Sequence, residues 1–221
     1  MRILAWHGWL LEGTGSNVYT AKVAEVWRRQ GHTVQMVCQD RHADRLEFVD
    51  AMATADHRGM SPAIETGAVP AAGSVTVIRP DIGTLLPVFV EDEYEGFEVK
   101  RFVDLADAEL DAYLDLNVAA LRAIGASSPA DAAVAGHLVP GPVVAGRALD
   151  RGFVAKVHGS DLEYAVRLQD RYAELAREGI EGATAVVGAS RDVLARTAAI
   201  APRAAERSVV IPPGVDVDRW R

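Results

Sequence analysis

Two histidines, His137 and His158, each close an apolar run: Ala132-Ala-Val-Ala-Gly-His137 and Phe153-Val-Ala-Lys-Val-His158. An imidazole at the end of a buried strand can orient a ligand hydroxyl, or it can be an internal hydrogen-bonding group with no ligand at all. His158 opens His158-Gly-Ser-Asp161, which brings Asp161 into the same candidate site. A further candidate is Gly13-Thr-Gly15-Ser16-Asn17-Val-Tyr19, a run of small and polar residues at the start of a helical stretch. Small residues let the backbone approach a ligand, and the free N–H groups of a helix start favour an anion. Gly13, Gly15, Ser16, Asn17 and Tyr19 are therefore candidate binding residues. A dinucleotide fingerprint would put its glycines directly after the first strand, whereas His7-Gly-Trp-Leu-Leu-Glu12 intervenes here. Asp40, at the end of the second strand, keeps a nicotinamide reading open. Gly188-Ala-Ser190-Arg-Asp lacks the last glycine of a nucleophile elbow, which argues against a serine hydrolase.

These residues need a frame, and the alternation of short apolar runs with longer helical stretches predicts a parallel sheet covered by helices on both faces. The predicted strands are Ile3-Trp6, Thr33-Val37, Val75-Ile78, Ala132-Ala135, Phe153-Val157, Ala185-Val187 and Ser208-Ile211. A helix over Val18-Gln30, with Val18, Val23, Val26 and Trp27 as its apolar positions, stops at Gly31. A second, over Leu110-Ile124, aligns Leu110, Tyr113, Leu114, Val118, Leu121 and Ile124, with acidic residues in its first turns. Ser160-x-x-Glu163 reads as a capping box opening a helix to about Arg177, and Ser190 caps the next one. Asp40-Gly73 has no firm period. Leu85-Val99 reads as a loop plus an extended strand of the kind that shapes a cleft, with Glu91-Asp92-Glu93 as a solvated face.

The 221 residues suffice for one α/β domain with a well-buried core. A net charge of −8 and a pI of about 5.2 argue against nucleic acid and anionic membranes as partners. Cys38, the single cysteine, excludes an internal disulfide and a Cys-based metal cluster, and its apolar surroundings predict a core thiol. Arg2-Ile-Leu-Ala-Trp6 is too short for a signal-peptide core, and no run approaches a membrane span of roughly 18 residues, so a cytoplasmic protein is expected.

In order along the chain, Gly13 to Tyr19, Gly31-His-Thr-Val34, Ala135-Gly-His137-Leu-Val-Pro140, His158-Gly-Ser-Asp161, Gly188-Ala-Ser190 and Ile211-Pro-Pro-Gly-Val-Asp216 resemble the landmarks of family 4 glycosyltransferases. The resemblance implies a Rossmann-like α/β sheet forming the N-terminal, acceptor-side half of a GT-B fold over residues 1–211. Residues 212–221 would begin the connector to a C-terminal donor-binding domain outside this sequence. Pro213 stands where the family usually has Asn, and Ser16 where many relatives have Gly. The implied reaction moves a sugar from a nucleotide-diphosphate donor to a hydroxyl acceptor with retention, without cofactor or metal. His137, His158 and Asp161 would act on the reacting groups, while Gly13, Gly15, Ser16, Asn17 and Tyr19 would bind substrate. The acceptor is a sugar, a lipid or another small molecule, and the missing domain acts in cis or as a partner subunit, without which the chain is expected to be inactive. A stand-alone sugar- or phosphate-binding module, or one that docks on a partner, is the alternative. Trp9, Leu10 and Leu11 are expected to be uncovered on the cleft face, where they could form a dimer.

Overall fold

The predicted alternation produces an open α/β sheet in a computed structural model that describes residues 1–56, 63–67, 72–215 and 217. In chain order the elements are β1 (Arg2–Trp6), α1 (Gly15–Arg29), β2 (Thr33–Val37), β3 (Ala51–Ala55), β4 (Ala63–Gly67), β5 (Val75–Pro80), β6 (Leu85–Val88) and β7 (Glu98–Arg101). There follow α2 (Asp107–Ser127), β8 (Ala132–Gly136), α3 (Gly141–Ala148), β9 (Phe153–Val157), α4 (Asp170–Gly182), β10 (Ala183–Gly188), α5 (Arg191–Ile200) and β11 (Ser208–Val210). The main sheet runs β11-β10-β9-β8-β1-β2-β5-β3-β4, parallel throughout except for β4, which is antiparallel to β3. Strands after β1 are added first on one side of it, and the chain then returns to lay β8 on the other. The strand order therefore reverses between β1 and β8, the place where open α/β sheets hold ligands. Among the described residues no helix is long and apolar enough to cross a membrane.

The two faces of the sheet bury separate cores because successive strand residues point to opposite sides. Leu4 and Trp6 of β1 join the core formed with α2, α3 and α4, whereas Ala5 joins Ala21 and Ala24 of α1 in the other. All six predicted apolar positions of α2 are buried. Each large side chain so buried contributes roughly 1.5–3 kcal/mol. The start of α2 is secured by Glu109, whose Oε2 accepts from the Ala106 N–H at 2.7 Å while Oε1 accepts from Lys100 at 2.8 Å.

Five expectations need correction. In α1 the buried face is Asn17, Ala21 and Ala24, while Val18 and Val26 are 45% and 37% exposed. Small residues on that face allow the helix to sit close on the sheet, so packing distance overrides side-chain hydrophobicity. The helix expected from Ser160 to about Arg177 is broken: a single wide turn, Leu162–Val166, precedes α4, and Asp161 rather than Ser160 caps it. The aperiodic Asp40-Gly73 stretch contains β3, inserted between β5 and β4 at the sheet's far end; residues 57–62 and 68–71 of that stretch lie outside the described residues. Leu85-Val99 folds as two short strands, β6 and β7, paired parallel in a sheet of their own. Finally Trp9 and Leu11 are 4% and 1% exposed, so they present no uncovered surface for a dimer.

The helix α3, which sequence periodicity does not announce, packs on the end of β8 through Gly141. A Cβ at Gly141 would lie 2.2 Å from the Gly136 carbonyl oxygen and 2.8 Å from the Trp6 ring. Because the obstacle is backbone, the helix itself must move. Gly141→Ala is expected to lower stability by about 3 kcal/mol, read as a shift of the urea midpoint; an unchanged midpoint would contradict the close packing.

Candidate functional site

The cleft opens at the carboxyl ends of β1, β8 and β9, with a volume of about 570 Å³. His7, His137 and His158 follow these three strands directly. The His137 and His158 rings lie 4.6 Å apart between centroids, and the His7 ring is 5.9 Å from that of His137. The start of α1 and the Val88–Asp92 stretch, which runs on from the last residue of β6, supply the walls.

His137 is held from several sides. Trp9 meets it edge-on at 4.5 Å and Phe89 stacks on it at 5.1 Å. Trp9 is in turn fixed by its indole N–H, which donates to the Pro87 carbonyl at 2.8 Å. The backbone at His137 has φ of 65°, a left-handed conformation that an ordinary side chain adopts at a cost of about 1 kcal/mol or more. Its Nδ1 is buried without a hydrogen-bond partner, and so is Nε2 of His158. Unpartnered polar atoms in such a position are costly unless a ligand or water completes them.

His7 has a structural assignment instead. Asn17 donates through its amide nitrogen to the Glu12 carbonyl at 2.6 Å, which leaves Oδ1 facing His7 Nε2 at 2.9 Å. His7 Nε2 must therefore carry the proton, and Nδ1 faces the Thr20 hydroxyl at 3.3 Å. Asn17, a predicted binding residue, thus spends its amide in anchoring α1 to the end of β1. It still borders the cleft together with Gly15, Ser16 and Tyr19, whereas Gly13 does not line it.

Burial keeps all three imidazoles neutral at physiological pH. It lowers the pKa of His7 to about 4, partly offset by the Asn17 side chain and the Leu10 backbone. It lowers that of His158 to about 3, helped by the charge of Lys156 and by His7. His137 is pushed well below the usual histidine value by burial, then by His158, His7 and Lys156. Such weak bases suit hydrogen bonding to hydroxyls better than proton removal. Among the described residues no group of three or more His, Cys, Asp or Glu side chains is arranged to hold a metal ion.

Asp161 differs from its predicted role. It is fully buried and absent from the cleft lining. Its Oδ2 accepts from the Leu138 N–H, and its Oδ1 accepts from the N–H groups of Gly159 and Leu162 at 2.8 and 3.0 Å. Leu138 and Gly159 are the residues immediately after His137 and His158, so one carboxylate links the two histidine turns. Asp40 is likewise committed to backbone, accepting from Leu11 at 3.0 Å and His42 at 3.0 Å, which removes the basis for a ribose-binding role. Ser190 caps α5 as predicted, accepting from Val193 N–H at 3.3 Å.

Lys156 and Phe89 escaped the sequence reading. Lys156 stands two residues before His158 on β9, and the period of a strand puts both on one face; a lysine inside an apolar strand was the available signal. Phe89 carried none, because its contact with His137 spans 48 residues of chain. Glu91 and Asp92, read as a solvated face, are exposed and also border the mouth of the cleft.

A parallel Rossmann-like sheet with its ligand cleft where the strand order reverses is the architecture of a GT-B glycosyltransferase half. The sequence matches the model of Glycosyltransferase Family 4 over residues 13–219, and the chain belongs to that family. No curated protein matches it.

Proposed function

We propose that the cleft is the acceptor side of a retaining sugar transfer from a nucleotide-diphosphate donor to a hydroxyl acceptor. The observation that carries this reading is the pair of unpartnered ring nitrogens, His137 Nδ1 and His158 Nε2, at the strand-order reversal of a family 4 sheet. In the reaction the bond from the anomeric carbon to the diphosphate oxygen breaks, and a bond to the acceptor oxygen forms on the same face. The acceptor proton passes to the departing phosphate oxygen. The neutral imidazoles hold hydroxyls in line, which converts binding into orientation. The uncapped first turn of α1, at Gly15, Ser16 and Asn17, offers N–H groups to the growing negative charge. The nucleotide would be held by a second domain or subunit across the cleft. Val209, Val210, Ile211 and Val215, all 40% or more exposed, fit such a neighbour.

The test is transfer by the protein together with that domain, using a panel of nucleotide sugars and hydroxyl acceptors. His158→Ala is expected to lower kcat about 10²-fold while thermal unfolding stays close to that of the parent. Equal rates for parent and His158→Ala would remove the histidine from the reaction. Tight sugar or phosphate binding without transfer to any acceptor would favour a binding module instead.

A further inference from the structure

The two walls of the cleft differ in charge. Lys156, the one Lys or Arg among the described lining residues, belongs to the α1 side, where its Nζ donates to the Val157 carbonyl at 3.0 Å and lies 4.8 Å from the centre of the Tyr19 ring. The other wall, Val88–Asp92 with Tyr94, brings two carboxylates, Glu91 and Asp92, and no basic residue. Asp92 is held in place: its Oδ1 accepts from the Glu93 N–H at 2.9 Å, and its carboxylate meets the Tyr94 hydroxyl. Glu91 has no ion pair among the described residues. It acts on Arg101 through space, and that guanidinium is already paired with Asp104 at 2.6 Å.

The acidic wall is fixed relative to the histidines. Phe89 stacks on Phe102 at 4.8 Å and on His137 at 5.1 Å, and the Trp9 indole ties Pro87 to the same cluster. Both stacking partners come from the protein, which makes Phe89 a strut rather than a platform for a ligand ring. Tyr94 is half-buried, borders the cavity and has no aromatic partner among the described residues. An aromatic face beside carboxylates suits the apolar face and polar edge of a polyhydroxylated ring. His137 points independently to a ligand: it is 2% exposed, lines the cavity, and its Nδ1 has no partner. A hydroxyl satisfies that nitrogen at one end, and the carboxylates at the other end can only accept.

We propose that the acceptor is a polyhydroxylated ring bearing an ammonium group, with its hydroxyls at His137 and His158 and its ammonium at Glu91. That the ligand is an acceptor rests on the transfer reading given above; its charge preference does not. A phosphate or carboxylate on this ligand would meet two like charges, while Lys156 is already engaged on the α1 side. A neutral polyol would fit but forgo a charge-assisted hydrogen bond. Glu91 is thus a specificity-determining residue, and it acts on the ligand's charge rather than on the reacting atoms.

Binding and transfer test this separately. The 221-residue chain is titrated with glucosamine, glucose and glucose 6-phosphate, closely related rings with positive, no and negative charge, and followed by NMR of its backbone amides. Shifts are expected at Phe89 to Tyr94 and at Leu138. Glucosamine should bind about fivefold more tightly than glucose, with glucose 6-phosphate weaker than either, and higher salt should narrow the gap. Glu91 is exposed, so its variants are expected to fold like the parent. Glu91→Gln should remove most of the glucosamine advantage, and Glu91→Lys should place glucose 6-phosphate first. The proposal is overturned by a parent that binds glucose 6-phosphate at least as well as glucosamine, by a preference unchanged in Glu91→Gln, or by no movement of these amides with glucosamine. With the second domain present, transfer to neutral or phosphorylated acceptors ahead of aminated ones would also overturn it and keep the transfer reading. The amine preference without transfer to any acceptor would keep this site and lose the transfer reading instead.

Discussion

Asp161→Ala is expected to lower the unfolding free energy by about 3–5 kcal/mol, since removing the acceptor leaves buried N–H groups unsatisfied at about 1–3 kcal/mol each. The N–H groups of Leu138, Gly159 and Leu162 all depend on this one carboxylate, which is completely buried. Burial raises its pKa, and the backbone N–H groups pull against that shift. For a domain of this size the loss corresponds to a fall in Tm of about 10 °C or more. Asp161→Asn keeps the shape but turns one acceptor into a donor facing another donor, so it should rescue little. Chemical denaturation of both variants measures the effect. A Tm for Asp161→Ala within a degree or two of the parent would mean that the turns after β8 and β9 hold themselves. The same substitution frees the two histidine turns from each other, so any transfer activity should fall along with stability.

Most of the main sheet was legible because its central strands are short apolar runs, several of them ending in Gly or followed by His, and a strand with both faces buried needs no alternation to be seen. Leu110 to Ile124 was legible for the opposite reason, since one face of that helix is apolar and the other is not. What the sequence hid depends on distance. Ala21 and Ala24 win the buried face of α1 from Val18 and Val26 only because the sheet lies so near. Asp161 looks like a catalytic acid beside His158 until the Leu138 N–H, 23 residues away, is found bonded to it. Trp9 reads as a loose apolar residue until Pro87 and Phe89 close over it. His137 and His158 were identifiable as strand-end groups, but their mutual approach is a property of the β8–β9 register.

That approach sets the response to acid. An unfolded imidazole takes a proton near pH 6.5, whereas in the folded chain His7 resists it until about 4 and His158 until about 3, with His137 also far below its usual value. Between those limits the unfolded state binds more protons than the native state, so stability is complete above about pH 7 and falls as the pH drops. Each group contributes up to about 1.4 kcal/mol per pH unit inside its window. His7 alone accounts for on the order of 3 kcal/mol, a large part of the roughly 5–15 kcal/mol that holds a domain together. Asp50 and Glu109, whose pKa values are lowered first by Arg28 and Lys100 respectively, add their own losses further down. The raised pKa of Asp161 works in the opposite direction and offsets a part. Urea unfolding at successive pH values is therefore expected to show a flat stability above neutrality and a steep decline between about pH 6.5 and 4. Protonation cannot be shared harmlessly, because a charge on one imidazole falls beside two others and the ammonium of Lys156. In His7→Gln the slope should become shallower by about a third, since one of three titrating rings is gone. A stability that stays constant down to pH 4.5 would show that the three rings are solvated and already able to take up protons, and with that the buried, neutral histidine cluster would have to be given up.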